Sequence, residues 1–444
     1  MGLFINAKFY TALFTAKLSF LGLKFLKRPA TSYPGYIALK ICPDFLAFSK
    51  KYIKNNLINV TGTNGKTTTS GLIAHILGNT HQSVIHNLKG ANMLTGIVNA
   101  FALSIRPFKR FDYAVVETDE AYLTRVYDFV KGDILVVTNL FRDQLDRYGE
   151  LDYTAKIIKE AISKNPDLKL ILNADDPIVA SFAKPDKTIF YGFEDVEYHC
   201  RYKDESHAPS EIFNCICEEP LKYTKRFYAQ QGHYFCDKCG YKRPECDYSA
   251  KVKIFDDYSL ISVKYNGVTF DFKVNLTGLY NAYNALAAIA AAFENGLNQS
   301  EIQNALDTYH SIFGRTETRI INGHKTLIQL IKNPAGASEV LKTVDLNSNI
   351  LIAINDDYAD GRDISWLWDS DFEQLKNAQK LVVTSGKRAY DMAARLKYAG
   401  IPQEKITVVP DVKKAVKFVA NSAQKDEKIT ILPSYTALLK ISKY

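Results

Sequence analysis

Four short runs dominated by β-branched and other apolar residues stand out early in the chain: NLINV (56–60), YAVVET (113–118), DILVVTN (133–139) and LKLILNADD (168–176). Segments of helix length separate them, a rhythm that predicts a parallel sheet with crossover helices. From about 195 to 250 the rhythm gives way to a Tyr-, Lys- and Cys-rich stretch, which predicts a small insertion with its own staple. SLISVKYNGVTFDFKVNL (259–276) then alternates apolar and polar residues around Asn266-Gly267, the dipeptide favoured in tight hairpin turns. Helices are predicted at NAYNALAAIAAAFENG (281–296) and SEIQNALDTY (300–309). After Arg315 the alternation restarts with TLIQLI (326–331), NILIAIN (349–355), KLVVTS (380–385) and KITVVP (405–410), which predicts a second α/β domain.

The first 28 residues are apolar, but Lys8, Lys17 and Lys24 interrupt them, so no run reaches the roughly 20 apolar residues of a spanning helix. Lys17, Lys24 and Arg28 fall at i, i+7 and i+11, one stripe of a helix, with Leu18, Phe20, Leu21, Leu23 and Phe25 over the rest. This predicts an amphipathic helix that either lies on a membrane face or packs on its own protein. No small-residue cleavage site follows it, so export is not indicated.

At 444 residues and about 150 per domain, two to three domains are expected. Hydrophobic residues at 47% and charged residues at 23% exclude collagen-like, coiled-coil and wholly disordered chains. The net charge of +8 favours anionic partners such as nucleotides or a membrane face, and is too small to argue for nucleic acid. Six of the seven cysteines lie between Cys200 and Cys246, an odd and clustered set that points to metal binding in a reducing cytoplasm rather than to a disulfide framework.

The strongest local signal is Thr61-Gly62-Thr63-Asn64-Gly65-Lys66-Thr67-Thr68, after an apolar strand and before the helical stretch TTTSGLIAHILGN. Glycines let backbone N–H groups curl around phosphate oxygens, and the helix N-terminus adds its dipole. Lys66 supplies a point charge, and the Thr67 hydroxyl can hold Mg²⁺. The general phosphate-loop pattern wants a glycine where this chain has Val60.

The variant TGTNGKTTT resembles that of the Mur ligases, which activate a carboxylate with ATP and attack the acyl phosphate with an amine. Asn173-Ala174-Asp175-Asp176-Pro177 resembles the family's NADDP turn. Gly278-Leu279-Tyr280-Asn281-Ala282-Tyr283-Asn284-Ala285 is similar to its nucleotide-base helix, and Phe313-Gly314-Arg315-Thr316-Glu317 to its entry into the C-terminal domain. The resemblance implies ATP held by Thr61 to Thr68, Asn281 and Arg315, with Mg²⁺ on Thr67 and Glu117. Where the family carries a metal-binding His after the next strand, this chain has Gln144.

Two features set the chain apart from an ordinary Mur ligase. The cradle begins at residue 61, from which a chain without the N-terminal domain that grips a UDP-linked sugar is expected. The cysteine insertion, Lys332-Asn333-Pro334-Ala335-Gly336 and the segment Asn355-Asp356-Asp357-Tyr358-Ala359-Asp360-Gly361-Arg362-Asp363 are similar to the MurT branch, the synthetase subunits of lipid II isoglutaminyl synthase.

This resemblance implies ATP-dependent amidation of the D-isoglutamate α-carboxylate in the lipid II stem peptide, in the cytoplasm, with peripheral contact at the inner membrane face left open by the N-terminal helix. Ammonia would come from a GatD-like glutamine amidotransferase partner, and no cysteine of this chain has the Gly-x-Cys-x-Gly flanks of one class of glutaminase nucleophile. A C-terminal Asp of the branch is expected to complete the partner's Cys-His pair; Asp356 is favoured over Asp360 and Asp363.

Cys236-Asp237-Lys238-Cys239-Gly240-Tyr241 has a zinc-knuckle shape, and Cys215-Ile216-Cys217 would supply the other pair for a structural Zn²⁺. The branch's Cys-x₂-Cys spacing would put a ligand at Asn214, so Cys200, His233 or Cys246 are alternatives.

The expected fold is therefore α/β. A short helical segment (1–50) precedes a Mur-type central ATP-binding domain (51–312) with a zinc-ribbon-like insertion (about 196–250), and a Rossmann-like C-terminal domain (313–444) follows. The rival reading is a ligase of the folylpolyglutamate type that adds an amino acid to a carboxylate.

Overall fold

The computed structural model describes residues 2–28, 30–87, 91–106, 108–141, 151–199, 214–310, 315–425 and 427–442. The chain divides into two compact units, with the change at His310 and Ser311. Gln144, Cys200, Phe313 and Gly314 lie outside the described residues, as does the side chain of Arg315.

The first unit is built on a nine-stranded sheet ordered β11-β10-β9-β6-β5-β4-β1-β3-β2. Its parallel part is β1 (Leu57–Thr61), β2 (Val84–His86), β3 (Tyr113–Glu117), β4 (Ile134–Val137), β5 (Lys169–Asn173) and β6 (Thr188–Tyr198). Every position of β1, β3 and β4 is buried, as strands covered by helices on both faces require. β7 (Lys222–Tyr228) and β8 (Gln231–Phe235) form a separate two-stranded sheet within the insertion. β9 (Tyr248–Ile254), β10 (Ser259–Tyr265) and β11 (Val268–Val274) close the large sheet as an antiparallel meander. Asn266 (φ 49°) and Gly267 (φ 78°) are both left-handed, the requirement of the two-residue hairpin turn.

Five helices matter for the site and its surroundings: α1 (Gly2–Phe25), α2 (Tyr33–Ile41), α3 (Phe45–Ser49), α4 (Lys66–Asn79) and α5 (Leu94–Ser104). The Ala-rich helix Leu279–Glu294 is small enough along its length to pack closely on α4, and most of its residues are buried. The first 50 residues pack on this unit. Phe9, Ala12, Leu13 and Ala16 of α1 are buried, and Phe9 stacks on Phe45 at 4.8 Å and on Tyr52 at 5.8 Å. α2 crosses α5 so closely that a Cβ on Gly35 would stand 2.0 Å from the Thr95 carbonyl oxygen.

The second unit is a six-stranded sheet ordered β12-β13-β17-β14-β15-β16. The strands are β12 (Arg315–Ile321), β13 (His324–Gln329), β14 (Asn349–Ala353), β15 (Val382–Ser385), β16 (Ile406–Val408) and β17 (Ile429–Pro433). Only the β12–β13 pairing is antiparallel. Helices Pro334–Lys342 and Ala389–Tyr398 supply Val340, Leu341, Met392 and Leu396 to one face. Helices Val412–Ser422 and Tyr435–Ile441 supply Val416, Val419, Leu438 and Ile441 to the other. Apolar layers on both faces make this the expected doubly wound arrangement.

Candidate active site and cysteine centre

β1 runs into a loop, Gly62 to Gly65, and the loop into the N-terminus of α4. Gly62 (φ 122°) and Gly65 (φ 85°) are in backbone regions that side chains rarely adopt. A Cβ on Gly62 would meet Thr138 Oγ1 at 2.3 Å, and one on Gly65 would meet Asn284 Oδ1 at 2.0 Å. The loop is therefore clamped between the end of β4 and the helix Leu279–Glu294.

Asn139 holds it from the β4 side. Its Oδ1 accepts from the Asn64 amide at 2.8 Å, its Nδ2 donates to the Asn64 carbonyl at 3.1 Å, and its own carbonyl accepts from the Thr63 amide at 2.9 Å. The Thr138 hydroxyl adds a bond to the Asn64 carbonyl at 2.7 Å, and the Thr61 hydroxyl donates to the Thr118 carbonyl at 2.9 Å.

Lys66, buried at the first turn of α4, lies 3.0 Å from Glu120 Oε2 and also donates to the Thr63 carbonyl. Burial raises the pKa of the Glu120 carboxyl, while the Lys66 ammonium pulls it back. Thr67 and Thr68 are buried beside Lys66.

At the end of β3, Glu117 is 2% exposed. Its Oε1 accepts from Asn92 Nδ2 at 3.0 Å, whereas Oε2 is buried with no hydrogen-bond partner. A buried carboxylate oxygen left unpaired at the mouth of a phosphate cradle fits a cation ligand. The residue's backbone is fixed by Asn87, which bonds both the Glu117 amide and its carbonyl at 2.8 Å.

Asn173 to Pro177 turn the chain after β5. Asp176 Oδ1 caps the short helix Pro177–Ala180 through the Ile178 and Val179 amides, and Oδ2 accepts from the Leu140 amide at 3.0 Å. Burial pushes this carboxyl up to about 6 against the pull of those donors. Asp175, fully buried, accepts from Arg243 Nε at 2.6 Å, Tyr283 OH at 2.8 Å and the Phe193 amide at 2.8 Å. The turn thus ties the insertion, through Arg243, to the helix Leu279–Glu294. Asn281, near the start of that helix, donates to the Thr277 carbonyl at 2.8 Å.

Within the insertion the sulfurs of Cys215, Cys217, Cys236 and Cys239 all lie within 4.8 Å of one another. Cys215 and Cys239 are 3.5 Å apart, and Cys217 and Cys236 are 3.6 Å apart. Zn–S bonds of about 2.3 Å in a tetrahedron give sulfur–sulfur edges of about 3.8 Å, so the donor set fits that ion. The short Cys-x-Cys spacing is accommodated by a turn in which the Cys215 amide bonds the Glu219 carbonyl at 2.7 Å. Asn214 is engaged in a backbone bridge with Pro220. His233 bonds the Phe193 carbonyl at 2.8 Å, and Cys246 receives Arg243 Nη2 at 3.2 Å.

In the second unit the three acidic candidates separate by environment. Asp360 accepts from both the amide (2.7 Å) and the hydroxyl of Thr436, at the start of the helix Tyr435–Ile441. Burial raises its pKa. Asp363 accepts from the amide (2.8 Å) and hydroxyl (2.9 Å) of Ser365. Asp356 takes both its bonds on Oδ2, from Arg388 Nη2 at 2.7 Å and Nε at 3.0 Å.

The motif predicted Lys66 and Thr67, and the Mur ligase resemblance implied Glu117, but neither pointed to the side chains around them. Glu120 follows Glu117 by three residues and could have been read as a second acid at the strand end. Asn139, Asn284 and Arg388 carry no comparable signal, because each reaches its partner across a gap of 32 to 219 residues.

Such a cradle on a parallel sheet, with acidic residues at the strand ends, has the form of a nucleotide-phosphate site, the class to which the Mur-type ligases belong. Residues 60–220 match the Mur ligase middle domain and residues 330–438 the MurT ligase C-terminal domain. The pseudomurein peptide ligase type C of Methanothermus fervidus shares the fold, with a TM-score of 0.70 over 89% of this chain and 79% of that one at 24% identity. MurF ligase of Thermotoga maritima, solved in complex with ADP, does so with a TM-score of 0.60 at 14% identity over 90% and 81%. Over 98% of its length the chain is 35% identical to the lipid II isoglutaminyl synthase (glutamine-hydrolyzing) subunit MurT of Streptococcus pneumoniae, covering 96% of that protein. It is 36% identical, over 97% and 96%, to the same subunit of Staphylococcus aureus. The chain belongs to the MurT family of Mur ligases.

Proposed function

We propose that this chain is the synthetase subunit of a lipid II isoglutaminyl synthase, amidating the α-carboxylate of D-isoglutamate in the stem peptide to give D-isoglutamine. Similarity to two MurT subunits over nearly the whole length carries the reading. The buried, unpaired Glu117 Oε2, on a residue paired in register with Val60 just before the cradle, supports a site for MgATP.

In this reading the loop Thr61 to Thr68 cradles the phosphates, Asn281 and Arg315 serve the nucleotide, and Thr67 and Glu117 hold Mg²⁺. When bound, the ion would neutralise charge on the transferring phosphoryl group. Lys66 leaves Glu120 for the phosphate oxygens. A carboxylate oxygen of the substrate attacks the γ-phosphorus and ADP departs, leaving an acyl phosphate. Ammonia then attacks the acyl carbon, inorganic phosphate leaves, and the nitrogen loses a proton to give the amide.

Ammonia comes from a glutaminase partner of the GatD kind. Asp356 is the carboxylate that orients the partner's catalytic imidazole, since among the described residues its Oδ1 takes no bond while Asp360 and Asp363 are committed to Thr436 and Ser365. Cys215, Cys217, Cys236 and Cys239 hold a structural Zn²⁺; four filled positions leave none for a substrate.

Lipid II incubated with the chain, the glutaminase partner, ATP, Mg²⁺ and glutamine loses about 1 Da per stem peptide, the difference between a hydroxyl and an amino group. Lys66→Ala abolishes the shift. Absence of the shift with both glutamine and ammonium as nitrogen source would favour an amino-acid-adding ligase instead.

A further inference from the structure

Helix α1 has two apolar faces, and the fold uses one. Phe9, Ala12, Leu13 and Ala16 are buried, with α2 and α5 packed against the helix. Phe14, Leu18, Leu21 and Phe25 are 69%, 58%, 60% and 87% exposed. At about 100° per residue these four fall within an arc of roughly 60°, one continuous ridge along the outer side of the helix. Leu26, just past the end of the helix, is 63% exposed. One side of the helix packs on its own protein, and the other is left exposed.

The charge around the ridge identifies its occupant. Residues 1–43 hold Lys8, Lys17, Lys24, Lys27, Arg28 and Lys40 and neither Asp nor Glu, a net +6. The remaining 401 residues carry 50 basic and 48 acidic side chains, which accounts for only +2 of the total of +8. Lys17 lies at the seam with α5, donating to the Ile105 carbonyl. Lys24, Lys27 and Arg28 are exposed beside Phe25 and Leu26. An apolar ridge with cations at its end, on a 43-residue segment that holds no acidic residue, matches an anionic phospholipid surface, with hydrocarbon below and phosphate above. Among the described residues no helix is long and apolar enough to cross a membrane, so the helix would lie in the plane of the leaflet.

We propose that α1 docks the protein on an anionic bilayer surface, with Phe14, Leu18, Leu21 and Phe25 at the acyl boundary and Lys24, Lys27 and Arg28 on the lipid phosphates. The surface stands independently of the amidation reading; if both hold, the docked protein meets a lipid-linked carboxylate at the leaflet that carries it.

The test is co-sedimentation of the full chain, alone and with its partner subunit, with phosphatidylcholine vesicles with or without about 30% phosphatidylglycerol. Wild type binds the anionic vesicles, binds neutral ones far less, and is released as salt rises. A variant with Phe14→Gln, Leu18→Gln, Leu21→Gln and Phe25→Gln loses at least about tenfold in binding, since the buried apolar area drives insertion. A second variant, Lys24→Glu with Lys27→Glu and Arg28→Glu, loses the salt-sensitive part.

Both variants keep wild-type ADP binding, and amidation of detergent-solubilised lipid II, if wild type has it, is unchanged; failure of the function reading is therefore seen separately from failure of the docking. Equal sedimentation of wild type and the ridge variant, or equal binding to neutral vesicles, overturns the proposal. So does loss of self-association or of the partner subunit in the ridge variant, which would assign the face to a protein.

Discussion

The cysteine centre gives the sharpest prediction. Serine at Cys239 removes one of four sulfurs that lie within 4.8 Å of one another, at an exposed position where the exchange leaves no cavity. Structural zinc sites bind with about 10–16 kcal/mol, so each of four equivalent thiolates carries about 2.5–4 kcal/mol, and losing one weakens zinc by about 10²- to 10³-fold.

The assay is zinc content after gel filtration through a weak chelator, followed by competition against a chromogenic one. Wild type keeps one zinc per chain and Cys239→Ser loses it. Cys246→Ser, whose sulfur bonds Arg243, keeps it. Acidification toward pH 5 releases the ion from wild type, because protons compete for the thiolates. Wild type prepared under reducing conditions without zinc, or Cys239→Ser retaining it as tightly, would refute the reasoning.

Glu117→Gln keeps the shape of the side chain but removes the charge on Oε2; kcat falls by at least about 10²-fold and the Mg²⁺ requirement rises, measured by ATP-dependent amidation over a Mg²⁺ titration. Asp175→Ala leaves Arg243 without its closest carboxylate in a largely buried site and costs about 3–5 kcal/mol, read by hydrogen exchange at the Phe193 and Gly232 amides. Asp356→Asn abolishes glutamine-driven amidation and leaves the ammonium-driven reaction within about twofold. Asp360→Asn, by contrast, weakens the Thr436 cap by about 1 kcal/mol and lowers the melting temperature of the second unit.

The strands that bear the site were legible because both their faces are buried. β1, β3, β4 and β5 fall on the predicted runs within one or two residues at most ends. β2 was missed because three residues are too few to show a period, and β6 because Gly192, Glu194 and Asp195 break its apolar run. β12 and β17 also went unpredicted; β17, ITILP, reads as a strand only once its neighbours β13 and β14 are known. The candidate site follows the same division. Lys66 and Thr67 announce themselves by the spacing of the motif and Glu117 by the resemblance, whereas Asn139, Asn284 and Arg388 meet their partners through contacts that only the tertiary fold creates. Clustering pointed to six cysteines and the knuckle shape at Cys236 and Cys239 narrowed them to four, whose sulfurs the fold brings together; a local turn accommodates the altered spacing of the first pair.

The pairing of Lys66 with Glu120 makes the nucleotide site electrostatically closed before anything enters it. A lysine exposed in such a loop would hold any stray phosphate. Here an incoming anion must displace a carboxylate already in place, and a single phosphate brings too few contacts to do so. A ligand with several phosphates and its own cation brings enough, so the loop counts contacts rather than charge. On the proposed MgATP reading, Glu120 would reclaim the lysine as ADP departs, which makes release an exchange between two anions instead of the exposure of a bare ammonium in a buried site.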